Sequence, residues 1–297
     1  MSLDSLGTGC LGGSLSLRFS ASLGNSRRGG LSPSVLSLFP AGGSGFLERF
    51  SSFIPVIVQP TCWVRFCTAI VNKMPVPFTS FQLFFPPHPA TTWNPGDLKS
   101  LPDISRYVAQ FKYDDWRTMI YFFPDGRIEF YSRKKAKLPR YRPPKSMIES
   151  LRNLELAPNA YHVLDAGLLH YKTPRVKNRI VIWDILVHAN SLLLGTSFDD
   201  RFRLLEKITR HPEKWISLPY PGGGGELAIA REVARNVWLA PVFDSDFSDL
   251  FEKGSHLPEI EGIVLKDKRA PLERAFQMEE NARWMIRARK PRIDYRF

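Results

Sequence analysis

The segment RIVIWDILV, Arg179–Val187, constrains the fold of this chain more than any other stretch. Its interior is apolar almost without a break, where a strand with one wet face would alternate. It therefore reads as a strand covered on both faces, central in its sheet. His162–Tyr171 reads as a second strand. Thr118–Phe123 and Arg127–Ser132 are β-rich runs about a Pro-Asp-Gly turn, which predicts a hairpin. Glu261–Lys266 and Trp284–Arg289 complete the strands. Helices are expected between them, the first at Lys145–Leu154. Ser197 opens the next: SFDD supplies a cap and first-turn acids, and RFRLLEKIT places apolar residues at helical spacing. A further helix is expected at Glu226–Val237, after the glycine run Gly222–Gly225. Strands dominate and no internal repeat is evident, so the class is α+β around antiparallel sheet.

Domain character begins at about Pro86. Residues 1–73 are rich in Ser and Gly, with six basic residues against Asp4 and Glu48 alone. The segment reads as sequence upstream of a true start at Met74, in preference to an organelle transit peptide, and is expected to be mostly disordered. The domain is then 74–297. Two prolines, Gln59 and Arg65 interrupt the apolar run Phe53–Val71, which argues against a membrane-spanning helix. The chain carries 41 Lys and Arg against 29 Asp and Glu, a net +12 that suits a polyanionic partner. Cys10, Cys62 and Cys67 all fall in the first quarter, so the body from Met74 onward holds neither a disulfide nor a thiolate zinc site. The six histidines show no metal-ligand spacing.

The stretch with chemical character is QFKYDDWR, Gln110–Arg117. Lys112 sits amid apolar and aromatic residues, a setting that desolvates an amine and favours its nucleophilic, unprotonated form. Asp114 falls on the same side as Lys112 if the segment is extended. Alone, a Lys-x-Asp tripeptide is ordinarily surface charge. Gly222–Gly225 suggests a phosphate loop, but no Gly-Lys-Ser/Thr follows, and it reads as a turn.

Other pieces follow in order: Ser132-Arg133 after the hairpin, Asp165-Ala-Gly167-Leu, Trp183-Asp184 on the central strand, Glu261-Gly262-Ile-Val-Leu-Lys266, and Arg287-Ala-Arg289. Together with Lys112-Tyr-Asp114-Asp115-Trp-Arg117 they resemble the motifs of the covalent nucleotidyltransferase superfamily, the polynucleotide ligases and RNA capping enzymes. The resemblance is to small phage-type ATP-dependent DNA ligases in particular, and it covers roughly Gln110–Arg289. It implies an ATP-grasp-like nucleotidyltransferase core of antiparallel sheets flanked by helices, with no C-terminal OB-fold. It implies that Lys112 attacks the α-phosphate of ATP to form a lysine–AMP intermediate, with Lys266 and Arg287 as catalytic cations. Gln110, Asp114, Arg117, Arg133, Trp183, Glu261 and Arg289 are implied to bind the nucleotide. In that reading Gln110 meets the adenine edge, Trp183 stacks on the ring, and Arg117 and Arg133 lie near the ribose and the incoming 5′-phosphate. Glu261 is the implied carboxylate for a Mg2+ ion or the ribose. From the residues alone, Trp183 reads also as core, and Arg287–Lys290 as a solvated edge strand.

Four positions depart from the family's pattern. Asp115 stands in place of a glycine, adding bulk and negative charge beside the triphosphate site. Gly167 stands in place of the third-motif glutamate, and a hydrogen atom cannot do the work of a carboxylate. Arg287 and Arg289 replace lysines, keeping charge while changing its geometry. The implied function is that of an ATP-dependent DNA ligase, transferring AMP to a 5′-phosphate and sealing a nick in replication or repair. An RNA ligase, or a degenerate ligase fold that binds nucleotide or nucleic acid without catalysis, are the alternatives. The expected partner is nicked DNA or RNA bearing a 5′-phosphate, with no membrane. The chain is expected to be a monomer in the cytoplasm of a bacterium or phage-infected host.

Overall fold

The structure, a computed structural model, describes residues 76–138, 141–221, 224–273 and 281–291. The N-terminal segment 1–73, its apolar run Phe53–Val71, and Gly222 and Gly223 lie outside the described residues.

In chain order the strands are β1 Val76–Pro77, β2 His88–Trp93, β3 Tyr107–Tyr113, β4 Trp116–Phe122, β5 Ile128–Ser132, β6 His162–Leu169 and β7 Arg179–His188. They continue as β8 Ser191–Leu192, β9 Trp215–Pro219, β10 Glu226–Ala234, β11 Val237–Leu239, β12 Ile260–Asp267 and β13 Asn281–Arg289. The helices are α1 Lys145–Arg152, α2 Phe198–Ile208 and α3 Phe247–Ser255. A large sheet runs β5-β4-β6-β7-β11-β10-β9, with β8 on β7 and β1 on β8. A second sheet runs β2-β13-β12-β3. Pairing is antiparallel except for β11 on β7 and β2 on β13. The protein is thus α+β, built on mostly antiparallel sheets flanked by helices. Among the described residues no helix is long and apolar enough to cross a membrane.

β7 is central, as its unbroken apolar run requires. Ile180, Val181 and Ile182 are all fully buried, and they serve two different cores. Ile180 and Ile182 pack in the larger one, with α1 and α2, while Val181 packs in the other, with α3 and the smaller sheet. Each such side chain stabilises by about 1.5–3 kcal/mol. The start of α2 also matches its sequence signals. Ser197 Oγ accepts from the Asp200 backbone N–H at 3.1 Å, and Phe198, Phe202, Leu205 and Ile208 face the core.

The helix expected over Glu226–Val237 is instead a hairpin. Its Ala, Leu, Glu and Arg residues favour helix intrinsically, but β10 pairs with β9 on one side and β11 on the other. Strand pairing with burial of Ile229 and Ala230 outweighs propensities worth tenths of a kcal/mol per residue. Register shifts at Ala228/Ala230 and Glu232/Ala234 break the two-residue alternation that would have marked a strand. Asn236, at φ +71, makes the turn.

One bulge prepares the site. Ile260 pairs with Tyr113 and Gly262 with Lys112, which leaves Glu261 as an extra residue in β12. The extra residue reverses the facing, so Glu261 shares a side with Val264 and Lys266. Gly262 permits this: its φ is +148, and a β-carbon there would lie 2.0 Å from the Ala288 carbonyl oxygen. Gly262→Ala is expected to lower the unfolding free energy by about 3 kcal/mol, read as a fall in the urea midpoint.

Candidate active site

Strand alternation and the β12 bulge aim the chemistry-bearing residues into a cleft of about 560 Å³ between the sheets. From β3 come Gln110 and Lys112, two residues apart on one face. From β13 come Arg287 and Arg289, again two apart. β4 supplies Arg117, the turn after β5 supplies Arg133, and β12 supplies Glu261 and Lys266. In β7, Asp184 pairs with Asp165 and Ile182 with Ala166, so Trp183 is the odd residue of a second bulge, and its indole lines the cleft.

Nine of the residues singled out in the sequence therefore meet: Gln110, Lys112, Arg117, Arg133, Trp183, Glu261, Lys266, Arg287 and Arg289. Asp114 does not line the cleft. β3 ends at Tyr113, so the alternation that would have put Asp114 beside Lys112 stops one residue early. Its carboxylate lies 3.3 Å from Lys172 Nζ instead. The neighbouring Asp115 lines the cleft in its place.

The charges inside are interlocked. Glu261, 5% exposed at its side chain, accepts from Lys112 Nζ and, at 2.8 Å, from Arg289. Lys112 is thus held by an ion pair and remains partly exposed, rather than standing desolvated among apolar groups as the sequence suggested. Arg117 makes a forked pair with buried Asp165, its Nε at 3.0 Å. Arg287 donates to Thr92 Oγ1 at 2.7 Å. Lys266 is buried, 4.5 Å from the Phe198 ring centroid, with Trp183 O 3.5 Å from its Nζ. Burial lowers its pKa to about 8, opposed by Asp184 and Asp165, which leaves it mostly charged at neutral pH. Burial also pushes Asp115 up to about 6, against the pull of Lys112, Lys172 and Arg117.

Gln110 is exceptional. It is 2% exposed, yet neither its Nε2 nor its Oε1 has a hydrogen-bond partner among the described residues. A buried amide left unpaired costs about 1–3 kcal/mol, and this one faces the cleft.

Lys172 also lines the cleft, donating to the Asp115 carbonyl at 2.7 Å. The sequence reading missed it, because Lys172 lies beyond the end of β6 and no local pattern marks it. Asp184 belongs elsewhere: it makes a forked pair with fully buried Arg201 of α2, both bonds at 2.9 Å. The donor set does not suit a resident magnesium ion. Glu261 is occupied by two cations, and no three His, Cys, Asp or Glu side chains of the described residues cluster to hold a metal.

The chain is similar to DNA ligases of known structure. A mycobacterial DNA ligase D complexed with ATP and MES aligns at 17% identity and a TM-score of 0.46, covering 69% of this chain and 60% of the other. The ligase domain of M. tuberculosis LigD aligns at 16% identity and 0.44, covering 68% and 59%. A Lig E DNA ligase, described as binding DNA with a minimal scaffold, aligns at 14% and 0.40, covering 69% and 68%. The chain thus spans about 60% of the length of the two ligase D structures. No protein-family model and no curated protein matches the chain.

Proposed function

We propose that the protein is an ATP-dependent polynucleotide ligase, acting on DNA, that works through AMP carried on Lys112. One observation supports the reading above the others. A primary amine opens onto a cleft ringed by Arg117, Arg133, Lys266, Arg287 and Arg289, with a buried, unpartnered amide two residues away. The cations suit a polyphosphate. The Gln110 amide, with both donor and acceptor, suits the edge of a nucleobase. The Trp183 indole is a surface on which a base can stack.

In this reading ATP enters with magnesium as its own counter-ion. The Lys112 ammonium gives a proton to Glu261, the carboxylate already in contact with it. The freed amine attacks the α-phosphorus. A nitrogen–phosphorus bond forms, the bond to the bridging oxygen breaks, and pyrophosphate leaves with the electron pair. Lys266, Arg287 and Arg289 offset the charge that gathers on the phosphates. A 5′-phosphate oxygen then takes the AMP, returning Lys112 as the amine, and a 3′-hydroxyl displaces the AMP to close the strand. The net charge of +12 suits a partner that is one long polyanion.

The test is incubation of the full chain with α-labelled ATP and magnesium. Label that survives denaturation and is then discharged onto a nicked 5′-phosphate duplex supports the reading. A folded protein that takes no label sinks it and leaves a nucleotide-binding relative without chemistry. Discharge onto an RNA nick but not a DNA nick would make the substrate RNA.

Gln110 offers a separate check. Gln110→Met removes two unpaired polar atoms from a buried site, so it is expected to raise the melting temperature by a few degrees. The same change is expected to weaken ATP binding by roughly 3–10-fold, the worth of a neutral hydrogen bond. Calorimetric titration beside a thermal melt reads both, and an unchanged ATP affinity would remove Gln110 from the base site.

A further inference from the structure

The two departures that most trouble the catalytic reading, Asp115 and Gly167, occupy one place. Gly167 lies in β6 directly opposite Arg117 of β4, two residues along the chain from Asp115. A β-carbon built on Gly167 would lie 2.7 Å from both Cγ and Oδ2 of Asp115, and 2.7 Å from Cη2 of Trp183. Real β-carbons do not approach other atoms so closely, so a side chain at 167 and the present one at 115 exclude each other. Gly167 does not hold its place for backbone reasons, since its φ is outside the left-handed range. Glycine inside a central strand weakens the strand, and here it leaves room. Asp115 has no positive φ either, so nothing in its backbone calls for glycine.

The surroundings match a carboxylate with a task. Asp115 lines the cleft, and Lys112, Lys172 and Arg117 are the cations that act on its charge. No hydrogen bond or ion pair from the described residues closes on its carboxylate oxygens, whereas Glu261 and Asp165 are each committed to cations.

We propose that positions 115 and 167 form a single carboxylate slot, filled here from the β3–β4 turn by Asp115 instead of from β6 by residue 167, and that this carboxylate positions the Lys112 amine for transfer. The functional half of this rests on the adenylyl-transfer reading, whereas the exchange of space does not. The sequence shows two losses, a glycine and a glutamate. Geometry makes them one relocation.

The test is a double-mutant cycle on the full chain, read by thermal melting and by covalent AMP labelling. Gly167→Glu alone is expected to lower the melting temperature by roughly 2–10 °C through overpacking. Asp115→Gly alone is expected to slow labelling about 100-fold. D115G combined with G167E is expected to regain at least a third of the lost melting temperature, and labelling at least tenfold above Asp115→Gly. The recovery is partial because Trp183 must also swing aside. D115G with G167Q has nearly the same shape without the charge, and is expected to melt like the rescued variant while labelling no better than Asp115→Gly. Labelling of Asp115→Gly at the wild-type rate, or equal labelling by the Glu and Gln variants, would overturn the role of the carboxylate while leaving adenylyl transfer intact. A wild type that takes no label sinks the transfer reading. The slot is then judged by melting alone: strictly additive shifts overturn it, and coupled shifts uphold it.

Discussion

Lys112→Ala is expected to abolish covalent labelling by α-labelled ATP, a fall of more than about 1000-fold to background. The loss is chemical and not structural. The Lys112 side chain is a quarter exposed, and Glu261 keeps Arg289 when the lysine is gone. The melting point should therefore shift by no more than a surface-type ion pair is worth, about 1 kcal/mol or less. Lys112→Arg sharpens the result, since it keeps a cation beside Glu261 while removing the amine. It should melt like the parent and take no label. If either variant labels at the parent rate, the nucleophile lies elsewhere in the cleft, and the three other amines lining it are Lys134, Lys172 and Lys266.

The largest effect on stability is expected away from the chemistry, at Asp184. The pair it makes with Arg201 is shut off from water on both sides, and the Asp184 Oδ1 also accepts from the Ile185 backbone N–H at 2.8 Å. Arg201 completes its bonding with the Thr196 carbonyl at 2.7 Å, while its guanidinium carbon sits 5.5 Å from the Trp284 ring centroid. Asp184→Ala strands a guanidinium in the core and is expected to cost about 3–5 kcal/mol. The whole net stability of a domain is only about 5–15 kcal/mol, so the variant sits near the edge of folding. Changing both partners to apolar residues of similar size, D184L with R201M, is expected to recover most of the loss. Urea unfolding followed by circular dichroism measures both. A single variant within about 1 kcal/mol of the parent would show that the pair does not lock α2 to the sheet.

The contrast between Asp184 and Asp115 shows where local pattern stops. Asp184 stands in a motif, beside Trp183, yet its carboxylate turns to α2 and ties the helix to the sheet. Asp115 breaks a motif, yet its carboxylate is in the cleft. Trp183 and Asp184 serve different partners, the indole the cleft and the carboxylate Arg201 of α2, and the bulge at this point is an event between two strands that neither strand carries by itself.

What the sequence determined by itself is what short-range physics can encode. An unbroken apolar run made β7 a central strand, a Pro-Asp-Gly turn made the β4–β5 hairpin, and Ser197 with its following acids started α2. Nine of the residues it marked for the site line one cleft, and four of them, Gln110, Lys112, Arg287 and Arg289, do so by alternation along β3 and β13, a property of any extended strand. The helix-forming composition of Glu226–Val237 pointed the other way, because strand pairing is non-local and can outweigh propensity. Only the tertiary structure decided that Asp114 falls outside the cleft, that Lys172 reaches it, and that the Gln110 amide is buried without a partner. Only it could show that Asp115 and Gly167, far apart in the chain, are two sides of one space. A side chain's absence at one position is explained by a side chain at another only when the fold has brought both to the same few ångströms.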